Sequence, residues 1–319
     1  MTELDVSVCI CTYNRQESLL EVLQSLKRVH VPKATGWEVL VIDNNSSDGT
    51  AEAVQSGEWE ALPLRYVHEP RQGLSHARNA AVSKAEGRVL AFLDDDVAVE
   101  TDWLEKLLGA FGAEPAPAVV GGPAILDSEL ERPAWWHGEF DGPAGHFDAG
   151  DSVRTSDDGY GGMIGIGANM AFHRSVFERY GHFRTDLGRT GSSLAMGEEL
   201  ELLDRLRRGD ERLVYDPSVV VYHRPDLARV SRSYLRRWYF RFGEWQFENE
   251  RDSDVVRLLG LPRWRFRHLA ELVAKWLGGV FTRRRPEAFL HQVHLVAFGG
   301  YVKRAWSRNR SEPQGRESA

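Results

Sequence analysis

Three consecutive aspartates, Asp94, Asp95 and Asp96, interrupt the segment VLAFLDDDVAVE (residues 89–100). The apolar alternation before them reads as a buried strand, so like charges stand where that strand ends. Such carboxylates repel one another and resist desolvation. The run is therefore either a solvated acidic turn or one wall of a site that a positive group completes. Asp94 and Asp96, two apart, can project from the same side of the chain. Hard divalent cations such as Mg2+ or Mn2+ take oxygen ligands of this kind, usually one or two carboxylates plus substrate phosphates. A cation bridging a diphosphate would offset the repulsion and stabilise the charge of a departing nucleoside diphosphate. Further titratable groups lie downstream: the pair Glu198–Glu199 in GEELEL, and His223 after SVVVY. A glutamate pair also suits the start of a helix over 198–208 through its dipole, and a histidine that ends a strand can simply be hydrogen-bonded locally.

The elements that must carry these residues alternate in type. Residues 5–10, 37–43, 64–69 and 88–94 read as strands, while 16–29, 73–85 and a shorter segment opened by NNSSDGTAEAV read as helices. Strand–helix alternation predicts an α/β domain with a mainly parallel, Rossmann-like sheet flanked by helices. In such sheets ligands bind beyond the carboxyl ends of the strands. Thr12–Arg15, Asp43–Asn45, Glu69–Gly73 and Asp94–Asp96 all fall there, so polar residues converge on one rim. The turn NNSSDGT is also an ordinary helix entry, with side-chain oxygens capping free N–H groups. Residues 127–162, rich in Gly, Asp and aromatics, are too long for a plain connection and read as a substrate loop or lid. The glycine run GYGGMIGIG (159–167) does not match G-x-G-x-x-G, which excludes a dinucleotide fingerprint there.

Composition bounds the remaining choices. The 319 residues are 42% hydrophobic and 27% charged, as in an ordinary globular protein. Cys9 and Cys11, the two cysteines, sit on one face of one strand, a poor geometry for a disulfide. That fits a reducing, cytoplasmic setting, and MTELDVSV lacks the shape of a signal peptide. No run of about eighteen apolar residues predicts a spanning helix.

Five ordered segments, SVCICTYNR (7–15), VIDNNSSDGT (41–50), GLSHARNAA (73–81), AFLDDD (91–96) and GEELEL (197–202), together resemble the family 2 glycosyltransferases. The resemblance covers about residues 5–225, and GANMAFHRSVFERYG, GEELELLDRLRRG and VYDPSVVVYHRP, followed by YLRRWYFRFGEWQ, are similar to bacterial members that build exopolysaccharide or cell-surface glycans. The resemblance implies a GT-A fold, a nucleoside-diphosphate sugar donor, a glycan or lipid-linked acceptor and inversion at the anomeric carbon. It implies that Thr12, Tyr13, Asn14, Arg15 and Asp43 hold base and ribose. Arg78 would meet the diphosphate or hold the aspartate cluster. Asp94 would bind ribose or support its loop, and Asp96 would ligate Mn2+ or Mg2+, with His223 completing the metal or diphosphate site. Inversion needs a carboxylate to take the acceptor's proton, and the family places a Glu-Asp pair there with the second residue as base. Here the pair is Glu198–Glu199, so Glu199 takes that position, one methylene longer, with Glu198 beside it. Trp135 and Trp136 either stack on a sugar ring or plug a small loop core. Asp95 receives no role.

The charge is asymmetric. Residues 224–319 hold 20 Lys and Arg against 10 Asp and Glu, a formal +10, which leaves the preceding residues at -17 within a total of -7. The expected organisation is a catalytic domain over 1–225, a basic amphipathic helical extension over 226–306 and a frayed tail over 307–319. Leu227, Val230, Tyr234, Leu235, Trp238, Phe242 and Trp245 recur at helical spacing among arginines, and RRR follows at 283–285. Such helices either lie on an anionic membrane surface, placing the protein peripherally at the cytoplasmic face, or pack on the protein itself. No nucleic-acid-binding module is recognisable. Two other functions share parts of this pattern: a sugar nucleotidyltransferase, which needs a Gly-rich phosphate loop that CTYNRQ does not supply, and a non-catalytic glycan-binding or membrane scaffold protein, which does not need both carboxylate sets.

Overall fold

A computed structural model describes residues 4–191, 194, 196–250, 256–259 and 261–311. The chain divides into two compact units, one of residues up to Leu130 with Gly145–Asp226, the other of Glu131–Ala144 with the residues from Leu227 onward.

The first unit opens with the expected alternation: β1 (Leu4–Thr12), α1 (Gln16–Leu26), β2 (Trp37–Asp43), α2 (Thr50–Val54), β3 (Leu64–His68), α3 (Leu74–Lys84) and β4 (Gly87–Asp94). Then come β5 (Val97–Val99), α4 (Trp103–Phe111), β6 (Val119–Gly121) and β7 (Ala124–Leu126). A single helical turn in the second unit, α5 (Asp141–Ala144), precedes β8 (Arg154–Thr155), β9 (Asn169–His173), α6 (Ser175–Tyr180), α7 (Glu198–Arg208), β10 (Leu213–Tyr215) and β11 (Val221–His223). The large sheet runs β3-β2-β1-β4-β9-β6-β10-β8. Strands β3, β2, β1 and β4 are mutually parallel, and β9 runs antiparallel to both β4 and β6.

Alternating side chains divide this sheet between two cores. Val8 and Ile10 of β1, Val39 and Val41 of β2, and Ala91 and Leu93 of β4 pack with Leu19, Leu23 and Trp103 from α1 and α4. Cys9, Leu40, Ile42, Leu90 and Phe92 face the other way, toward Ala77 and Ala81 of α3 and Leu202, Leu203 and Leu206 of α7. Burial on both faces explains why these strands read as continuous apolar runs. Because β2 and β3 lie on one side of β1 and β4 on the other, the strand order reverses between β1 and β4. The crevice at their carboxyl ends is where such a sheet binds ligands.

A separate three-stranded sheet, β5-β11-β7, lies against this crevice. Its antiparallel register pairs His223 with Val97, the residue after the aspartate run, and the Arg224 amide donates to the Asp96 carbonyl at 2.7 Å. Asn169 anchors this sheet by donating from Nδ2 to the carbonyls of Pro123 and Val219.

The second unit contains α8 (Arg232–Asn249), a short hairpin of β12 (Arg257–Leu258) and β13 (Leu261–Pro262), α9 (Arg263–Phe281) and α10 (Arg285–Ser311). Glycines bring α8 and α10 close together. A Cβ on Gly243 would lie 1.8 Å from the Ala297 carbonyl oxygen, and one on Gly300 would lie 2.0 Å from that of Phe240. Helix α10 runs through residues 307–311, expected as frayed tail, and Tyr301 and Ala305 are buried in the turns before them. Residues 312–319 of that tail lie outside the described residues. Among the described residues no helix is long and apolar enough to cross a membrane.

Candidate active site

The carboxyl end of β1 supplies Thr12 and the loop to Arg15. Thr12 Oγ1 donates to Asp95 Oδ2 at 2.8 Å, and Arg15 Nη1 reaches Asp95 Oδ1 and Asp96 Oδ2, each at 2.7 Å. The middle aspartate, given no role above, is thus the buried anchor of the β1 loop. Burial pushes its carboxyl up to about 6, against the opposing pull of Arg15. Tyr13 is exposed at the rim. Asn14, in the left-handed region at φ 51°, donates its amide to Ser46 Oγ and accepts from the Ser47 amide, stitching the β1 loop to the loop after β2.

Asp43 ends β2 and is buried. Its Oδ1 accepts from the Ser46 amide at 2.8 Å and its Oδ2 from the Tyr66 hydroxyl at 2.7 Å, so both oxygens order the loop. Asn44 does similar work across the rim: its Nδ2 donates to the carbonyls of Glu69 and Arg71, and its Oδ1 accepts from the Gly73 amide. Gly73, at φ +136°, then starts α3.

Asp94 ends β4 opposite Cys11 and keeps about a third of its side chain exposed. Asp96 is wholly buried, and His223 Nε2 lies 3.0 Å from its Oδ1. One ligand atom from each of Asp94, Asp96 and His223 lies within 4.8 Å of the others. Two carboxylates and an imidazole form a donor set that suits Mn2+ or Mg2+ with phosphate oxygens completing the shell, so these residues fit a divalent cation. Gly145 backs the histidine: at φ +112°, a Cβ there would come within 2.5 Å of the His223 Cε1. No sequence signal ties Gly145 to His223, because only the fold brings the two together.

Arg78, on α3, is buried among acids. Its Nη1 donates to Glu198 Oε1 at 2.7 Å and lies 3.8 Å from Glu199 Oε2, while Nη2 is 3.9 Å from Asp94 Oδ1. Gly167 makes room for this guanidinium, since a Cβ there would lie 2.0 Å from Nη2. Three carboxyl groups share one cation. Burial, reinforced by the neighbouring Glu199, pushes the Glu198 carboxyl up to about 8 despite Arg78. Glu198 is enclosed, whereas 21% of the Glu199 side chain is exposed. Both begin α7, where the dipole favours negative charge.

Residues 183–190 run along α3. Asn79 exchanges hydrogen bonds with the backbone of Phe183, Ser75 Oγ donates to the Leu187 carbonyl, and the Leu74 amide donates to the Arg189 carbonyl. This segment precedes α7, and no sequence signal ties it to α3.

Trp135 and Trp136 lie in the segment between β7 and α5. They belong to the second unit, where they pack with Phe140 in an aromatic cluster. Trp135 also meets the Phe289 ring edge-on at 5.2 Å and the Arg232 guanidinium at 5.0 Å, and Trp136 Nε1 donates to Asp141 at 2.8 Å.

The model of glycosyl transferase family 2 matches residues 7–181, more than half of the chain. The chain belongs to glycosyl transferase family 2. This glycosyltransferase is 30% identical over 245 residues to the succinoglycan biosynthesis protein ExoM of Rhizobium meliloti, covering 76% of this chain and 74% of that one. It is 27% identical over 262 residues to the glucosyl-dolichyl phosphate glucuronosyltransferase of Haloferax volcanii, covering 79% and 78%. Among solved structures, the mannosyltransferase PcManGT from Pyrobaculum calidifontis, in complex with GDP-Man and Mn2+, aligns with a TM-score of 0.61 at 21% identity over 95% of this chain and 87% of that one. S. aureus TarS 1-349 in complex with UDP aligns at 0.53 and 15% identity, covering 99% and 94%. The GT-A fold and the transferase class of the family 2 enzyme follow, which sets aside the nucleotidyltransferase and the non-catalytic scaffold.

Proposed function

We propose that this glycosyltransferase moves a sugar from a nucleoside-diphosphate donor to a hydroxyl of a glycan or lipid-linked acceptor, with inversion, in polysaccharide or cell-envelope biosynthesis. The carrying observation is the gathering of Asp94, Asp96 and His223 at the β1/β4 crevice with the Glu198–Glu199 pair, bridged by Arg78. Relatives named for polysaccharide assembly and for glucuronosyl transfer support the substrate class, and a structural neighbour with GDP-Man and Mn2+ supports donor and metal.

In this reading Asp94, Asp96 and His223 hold Mn2+ or Mg2+, which when bound stabilises the charge developing on the diphosphate leaving group. Thr12, Tyr13, Asn14 and the Asp43 loop form the nucleotide rim. Asp95 fixes Arg15 and Thr12 and so sets the shape of that rim. Glu199, the accessible member of its pair, takes the proton from the acceptor hydroxyl as that oxygen attacks the anomeric carbon. Arg78 keeps the acidic groups at fixed separation, and Glu198, held protonated near neutral pH, limits the negative charge around Glu199.

The test is release of nucleoside diphosphate from a panel of nucleotide sugars with a glycan or lipid-linked acceptor. Turnover of at least one donor with Mn2+ or Mg2+ is expected. Absence of turnover with every donor and acceptor tried would count against the reading.

A further inference from the structure

Of the apolar stripe predicted along residues 226–248, Val230, Tyr234 and Leu235 are buried, Trp238, Phe242 and Trp245 are half-buried, and Leu227 is exposed. Tyr234, Leu235 and Tyr239 of α8 are buried, and Gly243 seats that helix against α10. Helix α9 behaves differently. Leu272 and Gly279 are its buried residues, and Gly279 lies against Ala288 of α10. On the opposite side, Ala270, Ala274, Leu277 and Phe281 follow one another at intervals of four, three and four residues, the spacing of a single helix face. All four are exposed, Phe281 to 81%, and Val280 beside it to 50%.

The surroundings of this stripe are basic. Arg263 and Arg267 are exposed toward its amino end, and Arg283, Arg284 and Arg285 are exposed immediately beyond Phe281. Of the acidic side chains nearest in sequence, Glu271 is ion-paired with Arg267 at 3.5 Å, and Glu287 follows Arg285 by two residues in the first turn of α10. Strong basicity at the end of an apolar stripe argues against a second copy as the occupant, since pairing two such faces would bring like charges together. The stripe is also narrow, a single helix face on which two of the four residues are alanine, whereas a stable protein interface buries roughly 1,200 Å² or more. A Leu, a Val and a Phe at a helix end, ringed by arginines, match the boundary of a bilayer: apolar groups enter the acyl region while guanidinium groups meet anionic headgroups.

We infer that the α9–α10 corner, centred on Leu277, Val280 and Phe281 with Arg283–Arg285, docks on an anionic lipid surface. The contact is interfacial, because no described helix is long and apolar enough to span. The inference uses only the second unit and does not depend on the donor or the reaction proposed above.

Flotation of the full chain with phosphatidylcholine vesicles, with and without phosphatidylglycerol, tests it. Binding should require the anionic lipid and weaken as salt is raised. Leu277→Ser with Phe281→Ser should lower partitioning about tenfold or more. Replacing the three arginines by Gln should lower it roughly fivefold for each charge removed. Melting temperatures of both variants, measured alongside, should match the parent because every altered side chain is exposed. Wild-type protein that stays unbound, or a serine variant that binds as tightly as wild type, overturns the proposal. So does a solution dimer that Phe281→Ser dissolves without any vesicle binding, which would assign the face to a second copy.

Discussion

Arg78 donates to Glu198, Nη1 to Oε1 at 2.7 Å, in a buried contact that ties helix α3 to the first turn of α7. The same guanidinium faces Asp94 at 3.9 Å and Glu199 at 3.8 Å. A single side chain therefore spaces the acidic wall of the crevice from the glutamate that the proposed reaction uses as base.

Removing this cation should be costly. Arg78→Met leaves the buried Glu198 carboxyl without its donor and Asp94 and Glu199 without the cation between them, and an unsatisfied buried polar group costs about 1–3 kcal/mol. Denaturant unfolding should show that loss. Arg78→Lys keeps a charge but lacks the planar fork that addresses several carboxylates, and should recover only part of the stability.

The Glu198 proton gives a pH dependence of definite sign. Its carboxyl is raised from 4.5 to about 8, by burial first and by Glu199 second. Between those values the folded chain retains a proton that the unfolded chain releases, so stability falls as pH rises from about 5 to about 8 and then levels. Glu198→Gln keeps an acceptor for Arg78 without an ionisable group. Its melting temperature should lose this component of the decline when scanned from pH 5 to pH 8.5.

Glu199→Gln should separate binding from chemistry. The amide preserves shape but cannot accept the acceptor's proton, so kcat should fall by roughly 10²–10⁴. Donor binding, followed by calorimetry with nucleoside diphosphate and Mn2+, should change little. Unimpaired transfer would show that another group is the base.

Gly145→Ala probes the histidine from behind. The new methyl must be accommodated at φ +112° and within 2.5 Å of the His223 ring. Backbone strain of this kind costs about 1–3 kcal/mol. A displaced His223 should weaken Mn2+ binding as well, whereas Gly159→Ala, also at positive φ but with open space around it, should leave Mn2+ affinity unchanged.

The parts of this site differ in how far the sequence reveals them. Strands β1, β2 and β4 are legible because both of their faces are buried, which forces continuous apolar runs, and polar residues mark where they stop. The reversal at β9 is not legible, since Asn169–His173 carries no mark of strand direction. Strands β5 and β7, of three residues each, are too short for periodicity to register, and although SVVVY reads as a strand ending at His223, its partner is not written in the chain, so the pairing of His223 with Val97 is invisible there. Asp95 could not be singled out either. Three identical residues in a row do not say which one turns inward, and Thr12 and Arg15 decide it. Nothing in the chain around Trp135 and Trp136 tells that they pack with Phe140 and Phe289, because Phe289 lies far off in sequence.

The central claim is that Asp94, Asp96 and His223 hold a divalent cation needed for glycosyl transfer, and the most direct measurement is nucleoside diphosphate release by wild-type and Asp96→Ala protein before and after chelation. The expected result is wild-type turnover that chelation abolishes and Mn2+ or Mg2+ restores, with Asp96→Ala folded but inactive under every condition. Full turnover by the chelated enzyme, or by Asp96→Ala, would contradict it.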